Sequence, residues 1–183
     1  MSCSEIVHVH SAKDEMVSMI NTERLILTPV REEDIDIYTQ MLTRADITRY
    51  LPSGKPYSLE YIENYLSKRV AHWARGFGTF IVSLKANPAV KIGYAGVETI
   101  PDVGLSDIRY GILTEYQGFG YAYEAAKAVL DFTWQTTCLS KVYGVAVIDN
   151  TASVNLLQKL GLSPVNETLY DDGNDLVTMA IER

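Results

Sequence analysis

The chain is poor in cysteine, histidine and proline, and it has no long apolar run. It contains 2 cysteines, 3 histidines and 6 prolines in 183 residues. Cys3 and Cys138 are too few and too far apart to predict a disulfide framework or a metal site. No apolar run approaches the roughly 20 residues needed to cross a membrane, and residues 1–19 lack the apolar centre of a secretion signal. The sequence therefore predicts a reduced, cytoplasmic setting without membrane contact and without a metal.

Positive charge is also scarce. Lys and Arg together number 16 and Asp and Glu together number 23, which gives a net charge of −7. Nucleic-acid binding needs concentrated positive charge, so a nucleic-acid partner is not expected. The acidic balance suits a cationic substrate such as an amine, although the same balance also serves solubility.

The length fits one domain with a substantial core. Hydrophobic periodicity predicts an α/β fold without internal repeats, in the order β-α-α-β-β-β-α-β-α-β-β. Residues 1–20 lack a clear period and are expected to form a loosely held extension before a domain spanning 21–183, and Asn87-Pro88 predicts a turn. The predicted elements are 24–29, 32–44, 58–75, 77–84, 91–100, 106–113, 121–136, 141–148, 151–160, 162–171 and 176–182.

Two glycines stand immediately before the long helix predicted at 121–136. Gly118 and Gly120 allow close backbone approach to a ligand, and a helix start leaves N–H groups unpaired at the positive end of its dipole. This combination predicts a phosphate site. A dinucleotide fingerprint would need glycine where Tyr123 stands, and a P-loop would need a lysine after Gly120. A helix C-cap followed by a new helix is the alternative interpretation.

Several segments from Thr22 to the C-terminus stand in a recognisable order. They are Thr22-Glu23-Arg24-Leu25-Ile26-Leu27, Lys91-Ile92-Gly93-Tyr94-Ala95-Gly96, Tyr110-Gly111-Ile112-Leu113, Tyr116-Gln117-Gly118-Phe119-Gly120-Tyr121-Ala122-Tyr123-Glu124-Ala125, Asp149-Asn150-Thr151-Ala152-Ser153 and Lys159-Leu160-Gly161-Leu162. With these segments the chain resembles the GCN5-related N-acetyltransferase (GNAT) family, and it looks closest to the ribosomal-protein N-terminal acetyltransferase (RimJ/RimL-like) branch.

This resemblance implies a single GNAT-like domain with a mixed, mostly antiparallel, splayed β-sheet flanked by helices. It also implies acetyl-CoA as cosubstrate. The family loop Q/R-x-x-G-x-G/A matches Gln117, Gly120 and Ala122, and backbone N–H groups of this loop would hold the pyrophosphate. The Leu113 N–H is expected to polarise the thioester carbonyl. The implied cofactor-binding residues are Ile112, Leu113, Gln117, Gly118, Phe119, Gly120, Tyr121, Ala122 and Asn150.

The catalytic candidates also follow from the resemblance. Asp107 stands on the strand before the loop, where many relatives carry Glu, and it would act as the base through a bridging water, with Glu98 and Asp175 as rivals. Many relatives place a tyrosine acid where this chain has Leu157. Ser153 matches a serine that replaces that acid in the ribosomal-protein branch.

The expected activity is direct, sequential acetyl transfer from acetyl-CoA to a primary amine. No cysteine lies at a cofactor motif, so no acetyl-enzyme is expected. A protein N-terminus is the favoured acceptor, and a small amine or an antibiotic is the alternative. Leu157 instead favours a non-catalytic acyl-CoA sensor. Pairing into a homodimer stays open.

Overall fold

The computed structural model describes residues 5–10, 16–171 and 175–183, and its central feature is one nine-stranded sheet. The strands lie in the spatial order β1-β2-β3-β4-β5-β6-β7-β9-β8. Their bounds are β1 Glu5–His10, β2 Met16–Asn21, β3 Leu25–Pro29, β4 Thr79–Leu84, β5 Asn87–Thr99, β6 Ser106–Ile112, β7 Lys141–Val147, β8 Ser163–Pro164 and β9 Leu176–Glu182.

Every neighbouring pair of strands is antiparallel except β6 and β7. The parallel pair meets at a single position, Asp107 beside Tyr143, while β5 and β6 pair along seven positions. Beyond this point β6 and β7 do not pair with each other, so a cleft opens between their C-terminal halves. The expected mixed, mostly antiparallel, splayed sheet is confirmed.

Helices cover both faces of the sheet. Helices α4 and α5 pack on one face with β3, β5, β6 and β7, and helices α1 and α3 pack on the other face near β4 and β5. Within the residues described, no helix is long and apolar enough to cross a membrane. The helix bounds are α1 Ile35–Leu42, α2 Ala45–Thr48, α3 Leu59–His72, α4 Tyr121–Thr136 and α5 Thr151–Lys159.

Helix α4 lies close to the sheet because small residues form part of its inner face. Ala125 and Ala126 are fully buried, and Phe132 is 1% exposed. The Phe132 ring meets Phe80 of β4 edge to face, with 5.1 Å between centroids. Burying one such side chain stabilises the fold by about 1.5–3 kcal/mol. The predicted bounds of this helix, 121–136, are confirmed.

The turn predicted at Asn87-Pro88 is wrong. Leu84 pairs with Asn87, so the turn occupies positions 85 and 86, and β5 begins at Asn87. Proline is tolerated there because its missing N–H falls at an exposed strand end, beside a register shift in β4. The irregular pairing of β4 with β5, rather than the turn-forming character of Asn87-Pro88, determines where the hairpin turn lies.

The strand predicted at 162–171 is also wrong over most of its length, because only Ser163–Pro164 pair with β9. The following segment packs instead of extending the ladder. Val165, Leu169 and Tyr170 lie against Tyr143 of β7 in a separate apolar cluster. After the Val165 N–H, which donates to the Thr178 oxygen at 3.0 Å, burial of side chains rather than backbone pairing holds the segment.

The described part of residues 1–20 differs from the expected loosely held extension. Strand β1 pairs with β2, and β2 joins the sheet where Ile20 pairs with Leu27. Both side chains are fully buried. A domain boundary after residue 20 stays a prediction.

The α3 helix begins as expected and ends on a histidine that ties it to the sheet. Ser58 accepts a hydrogen bond from the Tyr61 N–H at 3.2 Å, as an N-cap does. The His72 Nε2 accepts from the Thr99 N–H at 2.9 Å, and its Nδ1 lies 2.9 Å from the Phe77 oxygen. A neutral ring with its proton on Nδ1 satisfies both contacts. Burial lowers the pKa of His72 below its usual 6.5.

This lowered pKa predicts a loss of stability on acidification. Below pH 6.5 the unfolded chain takes up a proton on His72 more readily than the folded chain, so folding weakens as pH falls. We expect the melting temperature of the natural protein to fall between pH 7 and 5.5 by more than that of His72→Gln. Thermal melts of the two proteins at both pH values check this, and equal losses would contradict it.

Candidate active site

The cleft between β6 and β7 exposes one backbone edge of β6. The Leu113 N–H donates to the Ile92 oxygen at 2.8 Å, so the N–H and C=O of the preceding residue, Ile112, point away from β5. The Ile112 oxygen accepts from Gln117 Nε2 at 2.8 Å. The Ile112 N–H, and by the two-residue period the backbone groups of Tyr110, therefore face the cleft.

The expectation that the Leu113 N–H polarises the thioester carbonyl is wrong. That N–H is bonded within the sheet, and Leu113 is only 2% exposed in the cluster around α1 and α3. The role fails because the antiparallel register directs alternate N–H groups to opposite strands. Ile112, one residue earlier, has its N–H on the cleft side.

The glycine loop has the geometry of an anion cradle. Gly118 and Gly120 both have a φ of +83°, which side-chain-bearing residues rarely adopt, and Gly120 is the N-cap of α4. Gln117 donates its N–H to Thr114 at 3.1 Å. Within the described chain, the N–H groups of residues 118–123 have no protein acceptor. A Cβ on Gly118 would meet nothing within 4 Å, so the loop is open to a ligand.

Glu124, in the first turn of α4, ties this loop to β3. Its Oε1 accepts from Thr22 Oγ1 at 2.6 Å and from the Arg24 N–H at 2.8 Å, and its Oε2 accepts from Arg24 Nε at 2.7 Å. Arg24 also donates to the Phe119 oxygen at 2.9 Å. Burial raises the pKa of Glu124, but these hydrogen bonds outweigh burial and lower it. An ionised carboxylate thus stands at the positive end of the helix.

Asp107 lies where β6 and β7 meet, and it is 3% exposed. One carboxylate oxygen accepts from Arg109 Nε at 3.0 Å, and the other accepts from the Tyr170 hydroxyl. Burial raises the pKa of Asp107, although Arg109 and Tyr170 oppose the shift. A carboxylate with a raised pKa is better matched to act as a base near neutral pH.

The rival carboxylates occupy different settings. Glu98 pairs directly across from Asp107 and is 1% exposed, with one oxygen bonded to Thr79 at 2.7 Å. Its other oxygen lies 2.8 Å from Arg69 Nε, an ion pair without an aligned hydrogen bond. Asp175 is exposed at the start of the last strand. Glu98 is thus fully enclosed, whereas Asp175 is exposed.

The acid candidate belongs to a hydroxyl pair on the opposite face of β6. Asn150 caps α5 by accepting from the Ser153 N–H at 3.3 Å. The Ser153 hydroxyl lies 2.9 Å from the Tyr110 hydroxyl. Burial raises the pKa of Tyr110 to about 12, so this hydroxyl keeps its proton.

Leu157, where the family resemblance implies a tyrosine acid in many relatives, is a core residue here. It is 1% exposed and packs against β7 at Gly144, where an added Cβ would stand 2.5 Å from a Leu157 methyl. No hydroxyl at position 157 therefore reaches the cleft. The structure groups Ser153 with Tyr110 and Asp107 with Tyr170, and it places the two groups on opposite faces of β6.

Sequence reasoning did not find Tyr170, Arg109 or Arg69. Tyr170 contacts Asp107 across 63 residues of sequence, in a segment with no motif. Arg109 offers a weak signal, because residues two apart on a strand share a face and Asp107 is two positions earlier. Arg69 is one of several basic residues on α3, and nothing in its spacing distinguishes it.

Comparison with known proteins identifies the same architecture. The sequence profile described as Acetyltransferase (GNAT) domain matches residues 24–163. The chain is 24% identical over 162 residues to the uncharacterized N-acetyltransferase YoaA of Bacillus subtilis (strain 168), covering 86% of this chain and 92% of that protein.

Two solved structures share the fold. One is RimL, a ribosomal L7/L12 α-N-protein acetyltransferase, with a TM-score of 0.74 and 16% identity over 97% of this chain and 100% of that one. The other is spermidine N-acetyltransferase from Vibrio cholerae in complex with CoA and spermine, with a TM-score of 0.69 and 20% identity over 86% and 95% of the chains. The expected likeness to the RimL-type fold is confirmed. The profile match covers most of the sequence, and the chain belongs to the GNAT acetyltransferase family, whose acetyl donor is acetyl-CoA.

Proposed function

We propose that this chain transfers the acetyl group of acetyl-CoA directly to a primary amine, with a protein N-terminus as the favoured acceptor. The observation that carries the proposal is the cleft between β6 and β7, which ends at a loop of unpaired N–H groups. A reducing, cytoplasmic setting is part of the proposal. Cys138 is exposed beyond the C-terminal end of α4, away from the loop, which supports direct transfer.

The cosubstrate fits the residues at this edge. Its pyrophosphate would accept from the N–H groups after Gln117, at the start of α4. Its amide-rich arm would pair with the free backbone edge of β6 at Ile112, as an added strand does. The residues proposed to hold it are Ile112, Gln117, Gly118, Phe119, Gly120, Tyr121, Ala122 and Asn150, with Leu113 behind them in the core.

The reaction needs a neutral amine and a proton for the departing thiolate. We assign Asp107 as the base because its pKa is raised and it lies where the cleft begins. We assign Ser153 as the acid because its hydroxyl is paired with that of Tyr110, a β6 residue whose backbone groups face the cleft. Asp107 and Ser153 lie on opposite faces of β6. Asp107 would take the proton of the amine, and Ser153 would give a proton to the departing thiolate.

Two kinds of acceptor amine are worth comparing. One structural neighbour is RimL, a ribosomal L7/L12 α-N-protein acetyltransferase, and another is a spermidine N-acetyltransferase. Both acceptors present a cationic amine, which suits the net charge of −7. An N-terminal peptide and a polyamine therefore belong in the same assay.

A second candidate function is a non-catalytic acyl-CoA sensor. Burial of Leu157 favours it, since the tyrosine acid of many relatives has no counterpart at this position. The sensor and the enzyme share the glycine loop and differ in turnover alone. CoA binding without thiol release on any amine would support the sensor.

The deciding experiment measures free-thiol release from acetyl-CoA with a panel of amines. The panel holds N-terminal peptides with different first residues, polyamines, amino acids and aminoglycosides. We expect turnover on one class, which would establish the enzyme and name its acceptor. No turnover, with CoA binding still seen by calorimetry, would contradict the enzyme and leave the sensor.

Gly120→Glu should abolish CoA binding. It places a side chain in the left-handed backbone of the N-cap and a negative charge at the proposed pyrophosphate site. Gly104→Glu is the matched control, because Gly104 has a φ of +73° in an exposed turn with nothing within 4 Å of a Cβ. Calorimetric titration with CoA compares the two. Equal, natural affinity in both variants would refute the assigned loop.

Ser153→Ala should slow turnover while CoA affinity stays nearly unchanged. We expect kcat to fall by about 10²-fold, which is the low end of the range for the loss of one acid–base group. Ser163→Ala, an exposed serine of β8, serves as the control. Steady-state kinetics with acetyl-CoA as the varied substrate separates kcat from KM, and a natural rate for Ser153→Ala would remove Ser153 from the mechanism.

A further inference from the structure

We propose that Tyr170 is a catalytic residue that carries the proton of the acceptor amine to Asp107. This inference rests on the proposed function and adds a residue to its base. The Tyr170 hydroxyl donates to the Asp107 carboxylate and accepts from Arg109 Nη2 at 3.1 Å. The three groups form a closed cluster where β6 and β7 meet.

The first step of the argument is access. Asp107 is 3% exposed, so an amine in the cleft does not reach its carboxylate without displacing a neighbour. The two carboxylate oxygens are already occupied, one by Arg109 and the other by Tyr170. A base in this setting must receive its proton through a group that touches it.

The second step separates the two neighbours. Burial alone would lower the pKa of Arg109, but the Asp107 carboxylate outweighs burial and raises it, so the guanidinium keeps its protons. A permanently protonated group cannot pass a proton on. A tyrosine hydroxyl can accept one proton as it donates another. Among the described side chains that contact Asp107, Tyr170 is therefore the one that can relay.

The third step is position. Tyr170 belongs to the segment after β8, which packs over Tyr143 of β7, and its hydroxyl reaches across to β6. The side chain thus bridges the two strands at the point where the cleft begins. Tyr170 is half-buried, whereas Asp107 is almost fully enclosed, so the tyrosine is the more accessible end of the pair.

The proton transfer balances as follows. An N–H bond of the acceptor ammonium breaks and its proton moves to the Tyr170 oxygen. The Tyr170 hydroxyl proton moves at the same time to the Asp107 carboxylate oxygen to which it is hydrogen-bonded. The products are a neutral amine, a neutral tyrosine and a neutral carboxylic acid. The amine nitrogen is then free to attack the thioester. The raised pKa of Asp107 favours this uptake near neutral pH.

The test is a double-mutant cycle on the acceptor identified by the amine panel. We expect Tyr170→Phe and Asp107→Asn each to lower kcat by about 10²-fold, because each removes one half of the same acid–base unit. The double variant should be no slower than either single variant, since the residues act as one path. The KM for acetyl-CoA should stay within twofold in all three. Tyr61→Phe, on the exposed face of α3, is the control.

The pH profile separates catalysis from a structural role. In the natural protein kcat/KM should rise with pH through the raised pKa of Asp107, above its usual 3.8, and Tyr170→Phe should lose this acidic limb. A merely structural tyrosine would lower the melting temperature and keep the limb.

Three results would overturn the relay. They are a natural rate for Tyr170→Phe, multiplicative losses in the double variant, or an unchanged pH profile. If the natural protein turns over an amine and any of these is seen, the relay alone fails. If the natural protein turns over no amine, the proposed function fails and the relay falls with it.

Discussion

The single pairing between β6 and β7 is the constraint on which the rest of the site depends. Because these strands are parallel, the chain must cross over between them, and α4 is that crossover. The loop 113–120 joins the end of β6 to the start of α4, so the unpaired N–H groups at that start lie at the same edge as the open cleft. Further pairing beyond Asp107 and Tyr143 would close the cleft and occupy the β6 backbone. One parallel contact holds the two halves of the sheet together and leaves room for a ligand.

The point of contact carries buried charge on one face of the sheet. Glu98 and Asp107 face each other on neighbouring strands, and such like charges would repel if unpaired. Arg69 and Arg109 neutralise them, with Arg109 Nη1 lying 3.7 Å from Glu98 and its Nε bonded to Asp107. Burying charges costs more than a single surface pair returns, so the cluster is weak evidence for stability. It is better understood as a device that keeps one carboxylate enclosed where β6 and β7 meet, where burial raises its pKa while Arg109 and Tyr170 oppose the shift.

Local sequence signals predicted the elements whose structure is local. The glycine loop and the bounds of α4 depend on neighbours a few residues away, and both are found. Two of the misses at the site concern partners distant in sequence. The Leu113 N–H is bonded because of the register between β5 and β6, which no motif records. Tyr170 meets Asp107 only because its segment packs over β7 instead of forming a ladder.

The packing of Leu157 against β7 also bears on the proposed acid. Gly144 lacks a side chain, and the Leu157 methyls lie against its backbone, so α5 packs directly on β7. A phenol at position 157 would have to leave this contact to reach the cleft. The two hydroxyls of Tyr110 and Ser153 meet one turn earlier on α5, beside the free edge of β6. A paired hydroxyl donates more readily when its partner keeps its own proton, and burial ensures that Tyr110 does. The fold thus keeps Leu157 in the core and a hydroxyl pair one turn away, which is the arrangement that the proposed acid role of Ser153 requires.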